Sequence, residues 1–299
     1  MLQLKKIHII LGFILTVISL NTHAQRVGVV MSGGGASGLA HIGVLKALEE
    51  NHIPINCISG TSIGSIIGGL YASGYSPLEI EQMVKDETFI KLTKGEMAAK
   101  YGYFIHKRED YASWLMFKLS FNNPFLSNLP TNLINSVPID YFLMETFAGA
   151  NSASHYNFDS LFIPYRCVAS DIAKKKSVIF RNGDMPSAIR ASMSYPFYIR
   201  PISIDSTLLF DGGLYNNFPS NVMYDEMYPD LMIGSSVSDN SETPNEDNLF
   251  LQLRNMLMSE SNFKPICDNA IILHPWADVS LFNFETAQRL IDSGYVATM

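Results

Sequence analysis

Gly60-Thr61-Ser62-Ile63-Gly64 places a serine two residues from a glycine on each side. The motif follows an apolar run at 53–58 and leads into an apolar stretch at 63–73. A G-x-S-x-G at a strand-to-helix junction is the setting of a nucleophile elbow, in which a sharp turn lifts the serine hydroxyl above a sheet. Ser62 is therefore a candidate nucleophile. The blander alternative is a helix-capping serine in a glycine-rich loop.

Such a serine needs a base and a group to hold the oxyanion. Ser32-Gly33-Gly34-Gly35-Ala36-Ser37-Gly38 follows the β-branched run 26–31, and Gly33, Gly35 and Gly38 fit G-x-G-x-x-G. Glycines there expose N–H groups at a helix start and attract negative charge. A dinucleotide site would also need an acidic residue about 20 positions on. The next strand ends instead in the Ser62 motif, so Gly33, Gly34 and Gly35 are candidate oxyanion donors.

Asp211-Gly212-Gly213 ends a strand-like run at 208–210. An Asx turn would explain it, but Asp211 could also take the Ser62 proton if the two lie within hydrogen-bond reach. A free aspartate, with a pKa near ~3.9, is a poor base unless its surroundings tune it. Among the histidines, His41 falls in an apolar helical pattern that suggests packing, and His52, His106 and His155 lie in polar stretches without a motif. His274 follows the apolar run 270–273 and permits a second constellation, the triad Ser62–Asp211–His274, in α/β-hydrolase chain order. From another class, the chain could be a non-catalytic lipid or nucleotide binder.

These residues need elements to hold them. Strand 26–31, helix 39–49, strand 53–58 and helix 63–73 alternate as a parallel sheet with crossover helices does. Ser76-Pro77-Leu78-Glu79 looks like a capping box opening a third helix. Strands return at 165–170, 177–181, 208–210 and 231–237, with helices at 185–193 and 285–291. Residues 94–130 are rich in aromatics without periodicity and read first as packing under a long loop, the alternative being a substrate pocket or lid. Residues 239–248 read as a polar loop.

The 299 residues carry 21 Lys and Arg against 28 Asp and Glu, with 47% apolar content. That supports a large core and excludes global disorder. A net charge of −7 argues against nucleic acid as a partner. Lys5 and Lys6 before an apolar run at 7–20, ending near Ala24, read as a secretory signal over 1–24. Without those two lysines the mature chain is still more acidic. Export to the periplasm, the outer-membrane periphery or the medium is expected. Cys57, Cys167 and Cys267 are odd in number and widely separated, which gives no disulfide framework and no metal-ligand spacing. With no H-E-x-x-H and no EF-hand loop, neither a metal nor a cofactor is expected.

Residues 32–45, 60–64 and 211–217 together resemble the bacterial patatin-like phospholipases, and 183–201 is similar to the family's segment before the D-G-G strand. The resemblance implies a three-layer α/β/α fold with a mostly parallel central sheet, filling 25–299 with its core at about 27–240. It implies a serine acyl hydrolase acting on fatty-acyl esters of lipids at a membrane surface it meets transiently. Ser62 would be the nucleophile, Asp211 its partner in a Ser–Asp dyad, and the Gly33–Gly35 loop the oxyanion hole. Gly60 and Gly64, with Gly212 and Gly213, complete the motifs. The chain departs from the family at Ser37, where many members carry Arg or Lys, and at Met193-Ser194-Tyr195-Pro196.

Overall fold

The computed structural model describes residues 25–97, 132–238, 269–275, 279 and 282–299. The strands are β1 (Val27–Met31), β2 (Cys57–Thr61), β3 (Tyr165–Asp171), β4 (Lys176–Phe180), β5 (Ile202–Ile204), β6 (Thr207–Asp211), β7 (Leu231–Ser235) and β8 (Ala270–Leu273). They pair in the order β5-β6-β3-β2-β1-β7-β8, with β4 also on β3. The pairs among β3, β2, β1, β7 and β8 are parallel, and those of β4, β5 and β6 are antiparallel.

Helices follow as α1 (Ala40–Glu50), α2 (Ile63–Ala72), α3 (Pro77–Lys85), α4 (Glu87–Thr93), α5 (Val137–Ala153), α6 (Met185–Ser192), α7 (Ser220–Met227) and α8 (Ala287–Thr298). Alternation along the strands divides the core. Val29 and Met31 face a large cluster with Leu39, Ile42 and Leu45, whereas Val30 faces a smaller one with Phe218, Met223 and Met227. Helices therefore cover both faces, and β1, β2 and β3 are buried along their whole length. Such double burial is what βαβ crossovers impose on parallel strands. No helix among the described residues is long and apolar enough to cross a membrane.

The second strand differs from the sequence expectation at both ends. It starts at Cys57 rather than at 53, because Pro54 has no N–H to give a ladder and Asn56 spends its side chain on Val27 N–H. It then continues through Ser59 and Gly60 to Thr61, residues whose small size suits a strand buried on both faces. The capping box stands as expected: Ser76 Oγ accepts the Glu79 N–H and the Glu79 carboxylate accepts the Ser76 N–H. Cys57 and Cys167 are free and buried, the part a small hydrophobe plays. Cys267, His106, the loop 239–248 and all but 94–97 of the aromatic segment lie outside the described residues.

Candidate active site

Strand register brings the nucleophile and the acid together. β2 and β4 both pair with β3 at Cys167 and Val168, so they lie on opposite sides of it. β4 and β6 share Ala169 to Asp171 in the same way. Hence β2 and β6 approach β3 from one side and meet end to end, Thr61 opposite Val168 and Asp211 opposite Ala169. Ser62, the next residue after β2, lands on Asp211. Its Oγ donates to Asp211 Oδ2 at 2.7 Å.

Ser62 itself has φ 53° and ψ −123°. A non-glycine residue at positive φ stores on the order of 1–3 kcal/mol and persists only where its neighbours fix it. Close approach explains the glycine at 64, where any Cβ would run into the carbonyl oxygens of Met31 and Ser32. Gly212 is similarly confined, with Val168 O against the place its Cβ would take.

Asp211 is almost wholly buried. Oδ2 accepts from Ser62, and Oδ1 accepts the Gly213 N–H at 2.7 Å. Burial pushes the carboxyl up from 3.8 to about 6, and the two hydrogen bonds pull part of the way back. A carboxylate so tuned can take a proton near neutral pH.

The glycine loop faces the same place. Gly34 and Gly35 line a cavity of about 100 Å³, open to solvent, together with Ser62, Asp211 and Asn217. Gly35 has φ 58° and opens a short 3-10 turn, Gly35–Leu39, that runs straight into α1. The first N–H groups of such a turn have no partner within it. Gly33 departs from the expectation that all three glycines are free to donate. Its N–H is committed to Asn217 O at 3.0 Å, because β1 has ended and the loop is pinned to the chain after β6. Gly38 sits against Ile63, which holds the loop down on α2.

Apart from Thr93 and Ser238, the rest of the cavity is largely apolar. Ile63, Ile66, Ile134, Ile139, Met193 and Ile199 form its walls, with Tyr195, Tyr198, Phe282 and Phe284. Tyr198 and Phe282 stack at 3.6 Å. Among the described residues no three His, Cys, Asp or Glu side chains converge to hold a metal ion.

The histidines fall elsewhere. His52 and His155 are exposed turn residues at positive φ. His274 is exposed at the end of β8. β8 lies three strands from β2, which is about 14 Å at ordinary strand spacing, so the Ser62–Asp211–His274 triad does not assemble. His41 is buried as its apolar surroundings suggested, but its role is more than packing. Nε2 meets Ser32 O at 2.9 Å and Nδ1 meets Ser235 Oγ at 2.7 Å. The carbonyl must accept, so Nε2 carries the hydrogen and Nδ1 accepts from the serine. Burial lowers its pKa to about 4, and the neutral ring ties the root of the glycine loop to β7. Position within an apolar helix concealed this; the polar partners come from residues 9 and 194 positions away.

Residues 29–224 match the family described as patatin-like phospholipase. A patatin-like phospholipase domain-containing protein of Caenorhabditis elegans is 33% identical over 212 residues, which is 67% of this chain and 13% of that one. A lysophospholipase of Kluyveromyces lactis is 34% identical over 199 residues, 67% of this chain and 12% of its own length. The chain thus spans about an eighth of these curated relatives. VipD from Legionella pneumophila, a solved structure, aligns over 92% of this chain and 66% of its own with 14% identity and a TM-score of 0.46. These two relatives in sequence are animal and fungal, so they carry the family and not its bacterial branch. The chain belongs to the patatin-like phospholipase family.

Proposed function

We propose that this protein is a serine acyl hydrolase that cleaves fatty-acyl esters of phospholipids or lysophospholipids. The observation that carries the reading is the 2.7 Å hydrogen bond from Ser62 to a buried, base-tuned Asp211 at the floor of an apolar cavity. Ser62 Oγ attacks the ester carbonyl as Asp211 Oδ2 takes its proton. The N–H groups of Gly34 and Gly35 hold the tetrahedral oxyanion; one such donor is typically worth ~10²–10³ in rate. The alcohol leaves with that proton, and water deprotonated by Asp211 then releases the acid from Ser62. Apolar walls next to Ser62 suit an acyl chain, whose burial is favourable by roughly 0.8 kcal/mol per methylene. The name of the Kluyveromyces relative, a lysophospholipase, supports a one-chain substrate.

Placement in the bacterial branch, export directed by residues 1–24 and transient contact with a membrane surface belong to the same proposal and rest on the sequence alone. Mass spectrometry of products from phosphatidylcholine and lysophosphatidylcholine vesicles tests the activity. Free fatty acid from either, absent with Ser62→Ala, is the expected outcome. Intact lipids with correctly folded wild type would overturn it.

A further inference from the structure

Ser62 and Asp211 are 149 residues apart, yet one three-residue segment grips both. α6 ends at Ser192, and the chain continues through Met193 to Ser194. Ser192 Oγ accepts the Ser62 N–H at 2.8 Å, and Ser194 O accepts the Asp211 N–H at 2.9 Å.

The Ser192 hydroxyl has no freedom in this. It is fully buried and donates its own hydrogen to Val168 O at 2.6 Å, which leaves a lone pair toward Ser62. Val168 is the β3 residue opposite the end of β2. The acceptor is therefore anchored to the same strand that sets the approach of β2 and β6. On the other side of the residue, Ser62 O accepts from Ser65 N–H, Ile66 N–H and Ser65 Oγ. The Ser62 carbonyl has three donors, whereas its N–H is held by the Ser192 hydroxyl.

The segment is itself braced. Arg190 is buried, donates to Ser194 Oγ at 2.6 Å and Arg200 O at 2.7 Å, and pairs with Asp140 of α5. Rotation of the strained Ser62 backbone toward an ordinary conformation would break the bond to Ser192 and swing Oγ off Asp211.

Resting on the proposed acyl-hydrolase function, we propose that Ser192 is a positioning residue: its hydroxyl fixes the Ser62 backbone so that Oγ stays on Asp211, and residues 192–194 set the spacing of the pair. It touches no substrate. Removing it should slow acylation without weakening substrate binding, since misplacement of about 1 Å at a reacting atom is worth on the order of 10² in rate.

The test compares wild type, Ser192→Ala and Ser154→Ala by steady-state hydrolysis of a medium-chain p-nitrophenyl ester and by the rate of labelling with a fluorophosphonate. Ser154 is another buried serine, whose hydroxyl bonds, among the described residues, within its own turn at Asn151 O; its variant reports the loss of a buried hydroxyl that does not contact the dyad. Circular dichroism and melting temperature confirm that each variant is folded. Ser192→Ala should lose roughly 30- to 100-fold in kcat and in labelling rate with KM within about two-fold, while Ser154→Ala stays within about three-fold of wild type in both. A Ser192→Ala kcat within about three-fold of wild type, or a loss that lies in KM, overturns the positioning role. Wild type that neither hydrolyses the ester nor takes the label would instead overturn the acyl-hydrolase function.

Discussion

His41 Nδ1 lies 2.7 Å from Ser235 Oγ across the interface between α1 and β7, so a neutral imidazole is a structural member of the glycine loop. Burial holds its pKa near 4, below the ordinary 6.5. The unfolded chain then binds this proton more tightly than the folded one, and stability falls as pH drops from 6.5 toward 4. Asp211 has the opposite sign. Its pKa rises from 3.8 to about 6 on folding, so its contribution is full below 3.8 and is lost as pH rises to 6. Over roughly pH 4 to 6 the two slopes offset one another.

Asp211→Asn removes one of them. At pH 7.5 the variant should be more stable than wild type by about 1–3 kcal/mol, because folding no longer has to bury an ionised carboxylate whose pKa burial raises to about 6. The amide oxygen can still accept from Gly213. The advantage should shrink to nothing near pH 4. Urea melts at pH 4.5, 5.5, 6.5 and 7.5 measure it. A stability difference that does not change with pH would show that Asp211 is not raised by burial.

The same burial sets the activity profile. Only ionised Asp211 can accept the Ser62 proton, so kcat/KM should fall about tenfold per pH unit below an apparent pKa of about 6. A profile on a soluble ester between pH 4.5 and 8 is sufficient. A limb near pH 4 would mean an untuned carboxylate.

Gly64→Ala should cut activity by more than about 100-fold. Its methyl group would have to displace the carbonyls of Met31 and Ser32, where β1 passes into the glycine loop, and the loop would move away from Ser62. Melting temperature and kcat for the variant test the claim together. Wild-type kinetics would contradict the geometry of the elbow.

His274→Ala should keep at least half of wild-type kcat, because His274 is exposed at the end of β8, the outermost strand on that side among the described residues. A loss as deep as that of Ser62→Ala would restore the triad as the catalytic constellation.

Much of this architecture was legible in the sequence. Residues 27–31 and 231–235 are short and mostly apolar, the first rich in valine, as strands buried on both faces must be. Ser76, Pro77 and Glu79 announce their helix by capping chemistry alone. The serine motif could be placed because an apolar strand and helix flank it. α5 was not legible: Val137, Tyr141 and Met144 are apolar yet exposed, while Asn151 is buried, so its pattern has no clean polar face. Long-range hydrogen bonds were equally hidden. Nothing near Gly33 predicts that its N–H ends on Asn217, and nothing near Ser192 predicts that its hydroxyl holds the backbone of residue 62. Sequence spacing reports period and turn chemistry, whereas these bonds depend on strand register across the sheet.

The most direct measurement is turnover of a medium-chain p-nitrophenyl ester at pH 7.5 by wild type, Ser62→Ala and Asp211→Ala, each shown to be folded. The dyad predicts hydrolysis by wild type and at least a ~10³-fold loss in both variants, against ~10⁴–10⁶ for removal of a member of a catalytic triad. Asp211→Ala within about tenfold of wild type, with Ser62→Ala inactive, would contradict it and place the base elsewhere.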